Sequence, residues 1–251
     1  GVNIYDPEQK NFKNYQFTNG SSGHHLTNFV RSVYVDQQNR LLIGTHNNGL
    51  FLMDRKNGDY LKLGFGTVSV FHISKTEDNK ILICAGDGLY LVEIKGNDLK
   101  ILSKITNRYN SAFFYATISK PGVYWAGSLN GLLRINIVDD QITTEKLYNE
   151  ISMPGVSENN CRVILFDQDE NQLLVGTEGG GLNIFSLDEE HYPTKVDVYN
   201  NTGQSNSLSN NYVRSIMKDQ KQNIWIGTFL GLNKLNYDPL NGDVEFSVYL
   251  K

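Results

Sequence analysis

Three times in this chain an asparagine stands three residues ahead of an arginine, at the start of an apolar, β-branched stretch: Asn28 and Arg31, Asn159 and Arg162, Asn211 and Arg214. Arginine presents its N–H donors in a flat fork that matches carboxylate or sulfate and also reaches sugar hydroxyls. Repeated through one chain, these polar pairs could form a ring that meets a ligand. The plainer reading gives them to the scaffold, with Asn shaping a turn and Arg saturating loop carbonyls. Tyr34, His72 and Tyr115 lie further along similar stretches and join the candidates for ligand binding. For at least two of them, packing in the core is the competing role.

Other chemistry finds little support in the sequence. The five histidines, His24, His25, His46, His72 and His191, show no metal-ligand spacing in a supporting context. Acidic groups such as Asp139-Asp140 and Asp188-Glu189-Glu190 fall in expected hairpin turns and read as solvated surface. Gly179-Gly180-Gly181 follows a strand but opens no helix, so it is a turn rather than a nucleotide loop. No Ser-His-Asp or Cys-His pattern has positional support. The expectation is a chain with no catalytic residues, no metal and no cofactor.

The elements that position the candidates follow from a repeated phrase. An apolar pair precedes Gly-Thr or a variant, and Gly-Leu follows. The clear copies are Leu42-Ile43-Gly44-Thr45 with Gly49-Leu50, Leu174-Val175-Gly176-Thr177 with Gly181-Leu182, and Trp225-Ile226-Gly227-Thr228 with Gly231-Leu232. Weaker copies surround Cys84-Ala85 and Gly127-Ser128, and a trace opens the chain at Gly1-Val2-Asn3-Ile4. Each copy sits among four short strand-like runs separated by turns. In the first full copy these runs are 30–35, 40–44, 50–54 and 60–63, and Asn57-Gly58 suits the tight turn before the last. Repetition at about 40–50 residues means a repeat architecture, and four antiparallel strands per repeat mean a β-propeller blade.

The fold class is therefore all-β. Five full blades are expected at 26–63, 67–105, 111–148, 158–200 and 210–250, with residues 1–17 as the outer two strands of another. The phrase's glycine is read as supplying backbone freedom for a sharp turn. Leu42, Leu82, Trp125, Leu174 and Trp225 precede that position by two and are expected to pack between blades, although a tryptophan there also suggests a sugar platform.

Bulk composition sets limits. The chain has 251 residues, 39% of them apolar and 11% aromatic, enough for a core. Its net charge of −4, with scattered basic residues, lacks the footprint of a nucleic-acid binder. No apolar run is long enough to span a membrane. Cys84 and Cys161 sit in apolar strand-like stretches of different repeats and read as buried free thiols.

The segment Asn211-Tyr212-Val213-Arg214-Ser215-Ile216-Met217-Lys218-Asp219, followed by Asn223-Ile224-Trp225-Ile226-Gly227-Thr228 and Gly231-Leu232-Asn233-Lys234-Leu235, resembles the two-component regulator propeller repeat. Residues 28–36 with 41–45, and the bridging phrase Asn206-Ser207-Leu208-Ser209-Asn210-Asn211, resemble it too. The resemblance covers essentially the whole chain and is weakest around Cys84 and Gly127.

It implies the periplasmic sensor of a Bacteroides-type hybrid two-component system, an inner-membrane sensor histidine kinase fused to a response regulator. Such sensors carry seven-bladed propellers, so this chain would be part of one ring. The implied ligand is an oligosaccharide, and the implied output is control of polysaccharide-utilisation genes. The implied partners are the remaining blades and domains of the same protein and a second copy in a homodimer. A propeller lyase or hydrolase, or a protein-interaction scaffold, is the alternative.

Overall fold

The computed structural model describes residues 2–6, 10–15, 29–106, 112–237 and 244–249. Every regular element among them is a β-strand. Strands β1 (Val2–Asp6) and β2 (Asn11–Tyr15) pair as a two-stranded antiparallel sheet. Five four-stranded antiparallel meanders follow. The first is β3 (Val30–Val35), β4 (Arg40–Thr45), β5 (Leu50–Asp54) and β6 (Tyr60–Gly64). The second is β7 (Val70–Lys75), β8 (Ile81–Ala85), β9 (Gly88–Lys95) and β10 (Asp98–Ile105). The third is β11 (Phe113–Lys120), β12 (Val123–Ser128), β13 (Gly131–Val138) and β14 (Gln141–Tyr148). The fourth is β15 (Cys161–Asp167), β16 (Gln172–Thr177), β17 (Leu182–Leu187) and β18 (Pro193–Tyr199). The last is β19 (Val213–Lys218), β20 (Ile224–Thr228), β21 (Gly231–Tyr237) and β22 (Val244–Tyr249).

The chain divides into two compact units, Gly1–Ala112 and Phe113–Lys251. Within each, the first strands of successive sheets are neighbours, β3 with β7, and β11 with β15 and β15 with β19. The sheets stack face to face on apolar cores. Leu42, Leu50 and Leu52 meet Val70, Ile73, Ile81, Ile83 and Tyr90. Trp125, Leu132 and Tyr148 meet Ile164, Leu173, Val175 and Phe185. Val163, Leu174, Leu182 and Ile184 meet Val213, Ile216, Ile224, Ile226 and Phe246. In the first four of these sheets the second strand is buried on both faces, which is why its sequence is a continuous apolar run instead of an alternation.

The repeated phrase has two physical causes. Its threonine hydroxyl donates to the carbonyl of the glycine that opens the next strand: Thr45 to Gly49 at 2.8 Å, Thr177 to Gly181 at 3.0 Å and Thr228 to Gly231 at 3.1 Å. Ser128 keeps the bond, to Gly131 at 3.0 Å. Ala85 has no hydroxyl to make it.

The first glycine answers to a different constraint from the turn flexibility expected of it. Among the glycines with positive φ are Gly49 and Gly181, whereas Gly44, Gly127 and Gly176 are not. What excludes a side chain there is the first strand of the next sheet. A Cβ would lie 2.6 Å from Val70 Cγ1 at Gly44, 2.7 Å from the Cys161 carbonyl oxygen at Gly127 and 2.4 Å from Val213 Cγ1 at Gly176. Gly→Ala at such a site forces overpacking, which costs about 1–3 kcal/mol. Gly176→Ala is expected to lower unfolding stability by that amount in chemical denaturation. Gly64→Ala, with nothing within 4 Å of its added Cβ, should stay within about 0.5 kcal/mol of the parent.

Candidate functional site

Each first strand carries one residue too many for its partner. The ladder jumps from Val30 to Ser32, Val70 to His72, Phe113 to Tyr115, Cys161 to Val163 and Val213 to Ser215. The unpaired residues are Arg31, Phe71, Phe114, Arg162 and Arg214. A β-bulge of this kind bends the strand and re-aims its side chain. The three arginines picked out in the sequence thus share one structural position, with phenylalanine in the other two repeats.

The residue after the phrase's Thr is brought to the same end of the sheet. Its N–H donates to the carbonyl just ahead of the first strand: His46 to Phe29, Glu178 to Asn160 and Tyr212 accepting from Phe229, at 2.8, 2.9 and 3.2 Å. In the second unit this places an acid between two arginines. Arg162 pairs with Glu178 Oε2, and Arg214 Nη2 lies 2.5 Å from Glu178 Oε1. Asn160 Nδ2 adds a donor to Oε2 at 2.9 Å.

Aromatic rings fix both guanidiniums. Arg162 Cζ lies 3.7 Å from the centre of the Phe114 ring, and Arg214 Cζ lies 4.5 Å from that of Phe229. Phe229 stacks on Tyr212 with the planes 6° apart. Phe229 is 59% exposed and Leu230 62%. In the first unit the corresponding corner holds Arg31, 6.0 Å from the Phe71 ring centre, and His46, whose Nδ1 is 3.1 Å from Ser69 Oγ. The site residues that sequence reasoning missed are Glu178, Phe114, Phe229 and Tyr212. The signal was available in the register: the residue following each Gly-Thr recurs at one place.

The other candidates separate cleanly. Asn159 Oδ1 accepts from the Glu150 N–H at 3.0 Å, and Asn211 Oδ1 accepts from the Asn201 N–H at 2.6 Å. These two asparagines hold the loops between sheets, the scaffold role. Asn28 lies outside the described residues. Tyr34 packs on the core between the first two full sheets. Tyr115 packs against the cores of the second unit. His72 is opposite Cys84 in the ladder, one residue past the bulge. Burial pushes its imidazole down to about 4.

The tryptophans belong to the scaffold. Trp125 is fully buried, and Trp225 is half-buried with Nε1 donating to Asp219 at 2.9 Å. That bond, with those from Asn223, holds the Asp219 carboxyl well below the usual range. Cys84 and Cys161 are buried free thiols, and burial pushes both thiols up.

Burial alone would raise the Glu178 carboxyl. The charges and hydrogen bonds of Arg162 and Arg214 more than offset it and leave the acid below its ordinary value. A carboxylate stabilised in this way contributes stability above its unfolded pKa, near 4.5, and loses it as pH falls below that. The parent should therefore lose stability faster than Glu178→Gln below about pH 4.5 in thermal melts. His72 acts over a higher window. The unfolded chain takes up its proton near pH 6.5 and the folded one near 4, so stability falls as pH drops between those values. The full loss is on the order of 3 kcal/mol. His72→Gln should remove that component from denaturation curves measured between pH 7 and 4.

Comparison with known proteins agrees with this fold. Residues 207–229 match the two-component regulator propeller family. The match runs from the loop phrase through the bulged Arg214 to Phe229. Histidine kinase P4 of Formosa agariphila is 23% identical over 232 residues, covering 85% of this chain and 16% of that protein. The extracellular domain of the hybrid two-component system BT4673 from B. thetaiotaomicron superposes with a TM-score of 0.64 at 19% identity, over 92% of this chain and 28% of that one. Streptogramin B lyase superposes at 0.60 with 14% identity, over 88% of this chain and 68% of the lyase. The chain is an all-β protein of β-propeller fold that carries a two-component regulator propeller repeat. It spans less than a fifth of the histidine kinase and less than a third of the BT4673 chain.

Proposed function

We propose that this chain is a ligand-sensing propeller segment of an extracytoplasmic sensor in a hybrid two-component system, responding to an oligosaccharide and controlling polysaccharide-utilisation genes. The observation that carries the reading is the coincidence of the family match with the site. Residues 207–229 include Tyr212, Arg214 and Phe229, the exposed aromatic and cationic part of the rim. Fixed guanidiniums beside the exposed aromatic residues Tyr212 and Phe229 suit a hydroxylated ligand with an apolar side, as a pyranose is. Likeness to the extracellular part of BT4673 and to a histidine kinase supports a periplasmic position ahead of an inner-membrane anchor and a kinase.

On this reading the segment itself is not an enzyme. The rim acid, Glu178, is held below its ordinary pKa by two arginines, which makes it a poor proton donor or base near neutral pH. The lyase neighbour shares the fold, and a fold hosts many functions. Ligand acts by differential affinity for two arrangements of a dimeric sensor.

The remaining blades of the same protein are further proposed partners. Met217, Leu232 and Tyr249 are exposed. In the preceding sheet the matching positions, Leu165, Leu182 and Tyr199, pack into the core shared with the last sheet. A further blade would bury them in the same way.

Calorimetry of the full-length protein against a panel of neutral and acidic oligosaccharides tests the proposal. At least one saccharide is expected to bind and to raise kinase autophosphorylation or its counter-reaction in parallel. Product release from any of them, or a stoichiometric protein partner in the absence of saccharide, would favour the enzyme or scaffold alternatives.

A further inference from the structure

We infer that the Arg162–Glu178–Arg214 cluster is an anion-reading subsite, and that its ligand is a saccharide whose carboxylate or sulfate takes the place of Glu178 between the two guanidiniums. The inference deepens the saccharide-sensing reading and rests on it for the sugar part of the ligand.

Three features point this way. First, the cluster pairs two guanidiniums with a single carboxylate, although the chain as a whole has a net charge of −4. Glu178 already shows the geometry of the missing guest. One oxygen meets Arg162 and the other meets Arg214, as the two oxygens of a uronate or two of a sulfate would. Second, both guanidiniums are placed before any ligand arrives. Phe114 lies against one and Phe229 against the other, and β-bulges set both arginines. A preformed fork loses little side-chain freedom on binding. Third, the cluster is open to ligand. The side chains of Arg162, Glu178 and Arg214 retain 21%, 20% and 34% of their accessible surface. Phe229 adjoins Arg214 and stacks on Tyr212, and the exposed parts of these two rings offer an apolar surface to the sugar that bears the anion.

Glu178 then serves as an internal competitor. It keeps the arginines ordered while empty and sets a threshold that a ligand oxyanion must exceed. Removing its charge while keeping its shape should tighten anion binding, which a purely structural ion pair would not do.

Titration calorimetry of the full-length protein with trigalacturonate, a sulfated chondroitin disaccharide, cellotriose and inorganic sulfate separates the possibilities. The acidic probe that fits should bind the parent, bind Glu178→Gln roughly tenfold tighter and bind Arg214→Gln roughly tenfold weaker. Its affinity should also fall with added salt. Trigalacturonate against the sulfated disaccharide distinguishes carboxylate from sulfate. Arg214→Lys keeps the charge but not the fork, and should recover only part of the loss. Acidic saccharide binding that is equal in the parent, Glu178→Gln and Arg214→Gln would overturn the inference and leave saccharide sensing standing. Tighter inorganic sulfate in Glu178→Gln with no saccharide bound would uphold the anion subsite and sink the sugar reading. Cellotriose tracking the same variants, or no probe responding to them, would overturn the subsite itself.

Discussion

The spacing between neighbouring sheets depends on one contact, the backbone and side chain of a first strand pressed against a bare glycine in the second strand of the sheet before it. Val70 on Gly44, Cys161 on Gly127 and Val213 on Gly176 are the three instances. No side chain fits between them, so the sheets approach more closely at this point than large residues on both sides would allow. The volume on either side must then be filled by large apolar groups. Leu42, Trp125 and Leu174, two residues ahead of the glycines, do this with no exposed surface. Burying a side chain of this kind contributes about 1.5–3 kcal/mol, and each stacked pair of sheets buries several.

The same contact separates scaffold from site. The residue opposite the glycine is tied to the ladder, whether Ser32, Tyr115, Val163 or Ser215. The residue before it is the bulge, released from pairing and free to vary. In that slot the chain places arginine three times and phenylalanine twice. Rigid packing one residue away holds this side chain in place: Phe114 is buried, whereas Arg162 and Arg214 stay partly exposed. Arg162 and Arg214 come from neighbouring sheets, and the fixed sheet spacing is what lets both reach the two oxygens of Glu178.

Local features were the legible ones. Strands 30–35 and 50–54 have the bounds read from strand-forming and turn residues, and the run at 40–44 extends by one residue to Thr45. The outer strand read at 60–63 likewise extends by one residue, to Gly64. Long-range causes were not visible. The partner of Gly44 is Val70 in the next repeat, so a local reading assigned the glycine to a turn. Tyr34 and Tyr115, for which packing was the competing role, lie against the cores. Arg31, Arg162 and Arg214 were identifiable from their recurrence. The position of Glu178 after Gly-Thr was equally readable, but its role exists only once Arg162 and Arg214 are brought together.

On the proposed function, the bulged arginines and the residues after Gly-Thr make up the face that meets the ligand. A crystal structure of the intact sensor region soaked with an acidic oligosaccharide tests it most directly. Ligand density is expected over Tyr212 and Phe229, with an oxyanion between Arg162 and Arg214 and the Glu178 side chain displaced. Ligand bound elsewhere, with the Arg162–Glu178–Arg214 pairing intact, would contradict it.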